Sequence, residues 1–296
     1  MKKQNNMSSR MRSLSGVDIA KYIVLSIFVV AVIYPFYNLL LVSVTPKLQY
    51  IKEPFMLYPK EISLGSYQYI FDNARLLRGF IVTTIVTIVG TFYNITLTLS
   101  FAYALNHRFP GKNILLVFVM IPLFFDGGLV PQYLLIKNLG FMDSIFAMIL
   151  PTGINLIFLF TMCKMLKSIP YELEEASRLD GANDLQILFR VYLPIAKPII
   201  AAFALYYAVE RWNEWYLGML YIHSDIHRPL QLIVKNIVAN ASSFRMSERM
   251  NMLGILPFDD GIKMACVVIT VLPIIFLYPL LQKYFLTGLS EGAIKE

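Results

Sequence analysis

The sequence has 296 residues, of which 57% are hydrophobic and only 15% are charged, and its net charge is +7. Soluble domains carry roughly 25% charged residues, so this composition argues against a soluble protein. No basic run is interleaved with aromatic residues, and the positive charge therefore points to a membrane rather than to nucleic acid. Cys163 and Cys266 lie in apolar stretches without neighbouring His or Cys, so no metal site is expected.

Six apolar segments are each long enough to cross the hydrocarbon layer, which takes about 20 residues as a helix. They lack the two-residue alternation of barrel strands, so we predict an all-α, polytopic bundle of six transmembrane helices. The first segment is too long for a signal peptide and lacks its cleavage pattern. The six segments are Tyr22–Val44, Phe80–Leu105, Ile114–Ile136, Ile145–Met165, Ile195–Tyr221 and Ile262–Leu281.

The distribution of Lys and Arg favours a cytoplasmic N-terminus and a cytoplasmic C-terminus in a bacterial cell membrane, although the long outer loops are also basic. The predicted organisation is a cytoplasmic segment 1–21, a first transmembrane helix 22–44 and an extracellular loop 45–79. A transmembrane domain 80–283 follows, and the chain closes with a cytoplasmic tail 284–296. Within that domain, an inner loop 164–194 joins spans four and five, and an outer loop 222–261 joins spans five and six.

The inner loop has the sequence signals of two short helices joined by a turn. Pro170 suits a helix start, Gly181 suits the positive φ just past a helix end, and Asn183 with Gln186 forms a capping-box pattern. The result is an amphipathic element whose apolar side needs a cover from the bundle, the interface or a partner. On periodicity alone, a plain interfacial hairpin is an equal alternative. The apolar positions are Leu173, Ala176, Leu179, Leu185, Leu188 and Tyr192.

A spaced motif runs through the same loop. Glu175-Ala176-Ser177 is followed after three residues by Gly181, and after nine more by Val191, Leu193 and Pro194. It resembles the E-A-A, x3, G, x9, I-x-L-P motif of permease subunits in binding-protein-dependent ABC importers, with Ser177 for Ala and Val191 for Ile. The resemblance implies a coupling helix that docks on a cytoplasmic ATPase subunit. The residues assigned to this coupling are Glu174, Glu175, Ala176, Ser177, Asp180, Gly181, Val191, Leu193 and Pro194.

The resemblance also implies a set of partners. These are a homologous second permease, two cytoplasmic ATPase subunits, an extracellular solute-binding protein and membrane lipid. The chain itself has no G-x-x-x-x-G-K-[ST] phosphate loop and no Ser/His/Asp or Cys/His set. We therefore expect no enzyme activity, no catalytic residue and no bound cofactor here, with ATP and Mg held by the partner ATPase.

Four further stretches resemble the carbohydrate or oligosaccharide branch of that family, and its second permease in particular. They are EEASRLDGAND in the inner loop, PLFFDGGLVPQYLLIKNLGFMDS around span three, WNEW in span five and LQKYFLTGLSEGAIKE at the end. The resemblance covers most of Phe80–Lys295 and is weak before it. It implies a sugar or oligosaccharide as cargo.

Several polar residues within the spans are candidates for the translocation pathway, because charges inside a membrane usually face a cavity or pair with each other. Arg211 has a carboxylate on either side, and a structural charge cluster is an equal interpretation. Trp212 suits an interfacial belt or a sugar-stacking surface. Asp126-Gly127-Gly128, with Pro122 and Pro131, predicts a break in span three. The candidates are Asn94, Asp126, Glu210, Arg211, Trp212, Asn213 and Glu214.

Three alternatives remain on sequence grounds. The importer could carry amino acids, peptides or a metal instead of a sugar. An ion-gradient-driven secondary transporter would show paired inverted halves, which are not evident here. A sensor or assembly factor would need no ATPase partner.

Overall fold

The computed structural model describes residues 16–125, 127–239 and 259–293. All regular secondary structure in these ranges is helical, which confirms the predicted all-α class. A 3-10 turn (Leu150–Thr152) follows the helix Phe146–Ile149, and a π-helical turn (Leu188–Tyr192) joins the helices Asp184–Ile187 and Leu193–Trp212. The helices are α1 (Gly16–Ser43), α2 (Lys47–Lys52), α3 (Gly65–Asp72), α4 (Ala74–Asn106), α5 (Lys112–Phe124), α6 (Leu129–Asn138), α7 (Phe146–Ile149), α8 (Leu156–Lys167), α9 (Tyr171–Leu179), α10 (Asp184–Ile187), α11 (Leu193–Trp212), α12 (Tyr216–Tyr221), α13 (Leu230–Ala239) and α14 (Asp259–Ala293).

Four described helices are long and apolar enough to cross a membrane: α1, α4, the continuous helix Asp184–Trp212 and the first part of α14. A fifth candidate is the bent pair Phe146–Thr152 and Leu156–Lys167, whose two parts meet at 53° where span four was predicted. The remaining predicted crossing, Ile114–Ile136, is divided between α5 and α6. The bundle is therefore polytopic, and the count of six spans stays a prediction.

The break predicted in span three is present. The helix α5 ends at Phe124 and α6 begins at Leu129. Gly128 has a φ of +81°, a conformation that favours glycine because it has no Cβ. Pro131 falls in the first turn of α6, where a missing N–H leaves no helical bond unmade. Asp126 lies outside the described residues.

Span five differs from its predicted bounds, Ile195–Tyr221, at both ends. The helix starts at Asp184 and passes through the π-helical turn without stopping at Pro194 or Pro198. Such a turn changes the hydrogen-bond register just before Pro194, which has no N–H to donate to the preceding turn. At the other end the helix stops at Trp212, and the chain turns before the separate helix α12.

The core is built around α4, which packs against α8, α11 and α13. The Thr98 hydroxyl lies 2.9 Å from the Tyr207 hydroxyl, which joins α4 to α11 inside the bundle. The helix α13 belongs to the predicted outer loop 222–261, and the Leu230 amide donates to the Thr83 hydroxyl at 2.8 Å. This helix covers the N-terminal part of α4, while residues 240–258 of the same loop lie outside the described part of the chain.

Two helices, α4 and α14, extend beyond their predicted segments. The helix α4 starts at Ala74 rather than Phe80, because the Asn73 side chain accepts from the amides of Arg75 and Leu76 and caps it. The helix α1 packs along α14, yet most of its apolar side chains are exposed, as suits a helix at a bundle edge. The helix α14 runs on to Ala293, through most of the predicted tail 284–296.

Candidate functional site

The inner loop folds locally as its sequence predicts. Pro170 directly precedes α9, and Gly181 has a φ of +81° just past the end of that helix. Asn183 accepts from the Gln186 amide while the Gln186 side chain accepts from the Asn183 amide, so the capping box is confirmed. The turn between α9 and α10 is thus fixed by one left-handed glycine and two reciprocal hydrogen bonds.

Glu174 is the buried residue of α9, with 2% of its surface exposed. Its carboxylate accepts from the Tyr192 hydroxyl at 2.6 Å and lies 3.0 Å from Nε2 of His107. Arg178, one turn later, donates to the same carboxylate at 2.9 Å and to Asp184 at 2.7 Å. This arrangement, named here the Glu174 cluster, joins α9 to the helix Asp184–Trp212 and to His107, the residue that follows α4.

The electrostatics of the Glu174 cluster favour an ionised carboxylate. Burial opposes ionisation, but the hydrogen bonds from Tyr192, Arg178 and His107 outweigh it, so the pKa of Glu174 is lowered. The pKa of Arg178 is raised, first by its hydrogen bond to Glu174 and then by that to Asp184. Both groups are therefore charged at neutral pH and hold each other in place.

A cavity of about 930 Å³ adjoins the cluster. Its walls come from the end of α4, the end of α8, α9 and the π-helical turn, and include Tyr103, His107, Lys167, Arg178 and Tyr192. Because this space is not filled by side chains, α9 is held to the bundle by the polar contacts of Glu174 more than by apolar packing.

The opposite side of α9 is open and partly apolar. Leu179 is 85% exposed, and Leu173 and Leu185 are also exposed. The motif residues divide between this surface and the bundle. Glu175, Ala176, Asp180, Gly181 and Pro194 are exposed, whereas Ser177, Val191 and Leu193 are half-buried. Among the nine residues assigned to coupling, only Glu174 is buried, and the motif spacing gave no sign of this difference.

Arg211 and Asn94 are brought together at the centre of the bundle, where Arg211 is 3% exposed. The guanidinium donates to the Asn94 amide oxygen at 2.9 Å and to the backbone oxygens of Met148, Ile149 and Thr152. Those carbonyls are freed where span four bends. The sequence allowed Arg211 to pair with Glu210 or Glu214, and in the structure its side chain turns inward and binds the backbone at the bend instead.

The other candidates near the end of α11 point in different directions. Trp212 is buried, donates through Nε1 to the Thr270 oxygen at 2.8 Å and packs edge-on against Phe80, so it presents no open stacking face. Glu210 and Asn213 are exposed. Glu214 accepts from the Leu217 amide at 2.8 Å and caps α12.

Comparison with known proteins gives concordant results. LplC of Bacillus subtilis is 36% identical over 264 residues, covering 89% of each chain. The polygalacturonan/rhamnogalacturonan transport system permease protein YtcP of the same organism is 34% identical over 281 residues, covering 94% of this chain and 98% of YtcP. A chain in the crystal structure of a bacterial ABC transporter involved in the import of the acidic polysaccharide alginate superposes with a TM-score of 0.84 at 27% identity, covering 91% of this chain and 96% of that one.

Residues 18–291 match the family described as "Binding-protein-dependent transport system inner membrane component". This match spans nearly the whole chain and fits its several apolar helices. The chain therefore belongs to that family, as a multi-pass transport component rather than an enzyme.

Proposed function

We propose that this chain is one permease subunit of an ATP-driven importer that moves a sugar or oligosaccharide into the cell. Family membership supports the transport role. The carbohydrate cargo is supported by YtcP and by the alginate importer, whose names refer to polysaccharides. In this proposal the chain crosses the membrane six times, and both termini are cytoplasmic.

The observation that carries the coupling role is the two-sided surface of α9. On one side of α9, Leu173 and Leu179 are exposed, and Leu185 of the adjoining α10 is exposed as well, as a surface that binds a protein partner would be. On the other side, Glu174 binds Tyr192 and His107. A displacement of α9 by a partner would thus pull on the helix Asp184–Trp212 and on the end of α4 together.

The remaining parts of the importer follow from this placement. Two ATPase subunits, holding ATP and Mg, would bind at α9 of this chain and at the matching helix of a homologous second permease. An extracellular solute-binding protein would deliver the cargo on the opposite face, where the loop 222–261 is the candidate contact. The pathway would lie between the two permeases.

A charge placed on the exposed side of α9 tests the proposal. Leu179→Asp removes no buried contact, so the chain should fold with a free energy of unfolding changed by at most about 0.5 kcal/mol. We expect loss of ATPase co-purification from membranes and loss of sugar uptake. Ile226→Asp, at a residue that is 60% exposed in the outer loop, is the matched control and should retain ATPase co-purification. Full co-purification and uptake with Leu179→Asp would contradict the coupling role.

A further inference from the structure

The last turns of α11 separate their side chains into an inner set and an outer set. Arg211 and Trp212 point into the bundle and are buried. Tyr206, Glu210 and Asn213 are exposed, at spacings of four and three residues that place them on one side of the helix. This outer set is named here the Glu210 face.

An exposed carboxylate limits what can lie beside this face. Glu210 falls in the final turn of a helix long and apolar enough to span the membrane. A charge inside a membrane is too costly to face lipid tails, so such residues border water or a polar partner. Among the described residues, Glu210 has neither a hydrogen bond nor an ion pair with a neighbour. The Glu210 face therefore borders either water or a polar surface of a partner, and a pathway between two permeases would offer both.

The sign of the charge on this face is negative. The adjacent positive charge, Arg211, is withdrawn into the bundle and surrounded by the Asn94 amide oxygen and backbone oxygens. The exposed cation Lys235 belongs to α13, and its ammonium lies 3.0 Å from the ring centroid of Trp215, beyond the end of α11. Arg211 still interacts electrostatically with Glu210, but among the described residues no basic side chain forms a close ion pair with this carboxylate.

We infer that the Glu210 face is a contact site for an uncharged oligosaccharide in the translocation pathway, and that it disfavours sugars bearing carboxylates. This inference rests on the proposed function and narrows its cargo. A carboxylate and an amide accept hydrogen bonds from sugar hydroxyls, and a tyrosine ring packs on the apolar face of a pyranose. A uronate would bring a second negative charge against Glu210. The cargo class thus differs from the acidic polysaccharides named for YtcP and the alginate importer.

The test measures the local charge without needing the identity of the cargo. Asn213→Cys is made with Cys163→Ala and Cys266→Ala, and the chain is expressed with its partner subunits in intact cells. The labelling rates of a cationic and an anionic methanethiosulfonate are compared, with and without Glu210→Gln. A unit charge about 8 Å away in water changes each rate about twofold, in opposite directions, so Glu210→Gln should lower the cation-to-anion ratio about fourfold.

Two controls keep the result interpretable. Glu61→Gln removes the same charge from the exposed segment between α2 and α3 and should leave the ratio unchanged. Tyr206→Cys provides a second reporter one turn away, in case Asn213→Cys does not assemble.

Each outcome decides the inference. Labelling at either reporter with the expected fall in ratio supports it. Labelling with a ratio indifferent to Glu210→Gln overturns the charge selectivity but leaves the importer proposal intact. Absence of labelling at both reporters, in an assembly that retains uptake, would show that the face does not border water and would overturn the inference as well. The Leu179→Asp experiment judges the proposed function separately.

Discussion

Removing the carboxylate of Glu174 should destabilise the chain more than any other single change in the inner loop. In Glu174→Ala, the Tyr192 hydroxyl and the His107 ring lose an ionised acceptor at 2.6 Å and 3.0 Å. The Glu174 side chain is only 3% exposed, so water cannot easily replace it. A hydrogen bond to a charged group contributes about 1.5–3 kcal/mol, so the two bonds together account for about 3–6 kcal/mol.

Variants that each remove one partner of Glu174 measure the separate contributions to this free energy. Tyr192→Phe removes one buried hydrogen bond to the carboxylate and should cost about 1.5–3 kcal/mol. Arg178→Gln should cost at most about 1 kcal/mol, because the Arg178 side chain is 43% exposed and solvent screens its ion pair. The expected order of destabilisation is therefore Glu174→Ala, then Tyr192→Phe, then Arg178→Gln.

Thermal unfolding of the purified assembly in detergent measures this order. One kcal/mol corresponds to about 2–4 °C for a chain of this size class, so Glu174→Ala should lower the Tm by on the order of 10 °C. The Arg178→Gln protein is the control for loss of charge without loss of a buried contact. A Tm for Glu174→Ala equal to that of Arg178→Gln would refute the reasoning that burial gives the cluster its strength.

Three other outcomes are expected. The pKa of Glu174 lies below its ordinary value of 4.5, so its contribution to stability is complete above pH 4.5 and is lost as the pH falls through the lowered pKa. The Tm measured from pH 7 to 3 should therefore fall less for Glu174→Ala than for the parent. Gly181→Ala should cost about 1–2 kcal/mol because its φ is +81°, with Gly181→Asn milder, as read by Tm. Arg211→Met should cost about 3–5 kcal/mol because the Asn94 amide oxygen and the carbonyls of Met148 and Ile149 lose their donor, while Thr152 keeps the bond from the Asn94 amide. Arg211→Lys should not restore the Tm, since an ammonium lacks the planar fork.

The parts of the fold that sequence predicted are those governed by local chemistry. The left-handed glycine at Gly181, the capping box at Asn183 and the break before Gly128 each depend on residues within a few positions of one another. The apolar segments also marked the long helices, because spanning length is a property of a single stretch. Their ends were less predictable, since the cap at Asn73 and the π-helical turn before Pro194 override the hydrophobic pattern.

The parts that sequence did not predict depend on distant partners. Glu174 reads as one acidic residue among several in a first helical turn, and its neighbours His107 and Tyr192 are 67 and 18 positions away. Arg211 had two carboxylates within four residues, and its actual acceptors are carbonyls exposed by a bend in another helix. Pro151 and Gly153 beside that bend were the available signal, because both residues weaken a continuous helix.

The contact between α1 and α14 has a consequence for biogenesis. These are the helices of the described chain that leave the ribosome first and last, and they lie against each other. Because contacts between distant parts of a chain form late, α1 lies in the membrane without this contact until α14 has been synthesised. A chain truncated before α14 would lack the helix that packs against α1. We expect cellular proteases to degrade such fragments because this side of α1 is left without its partner.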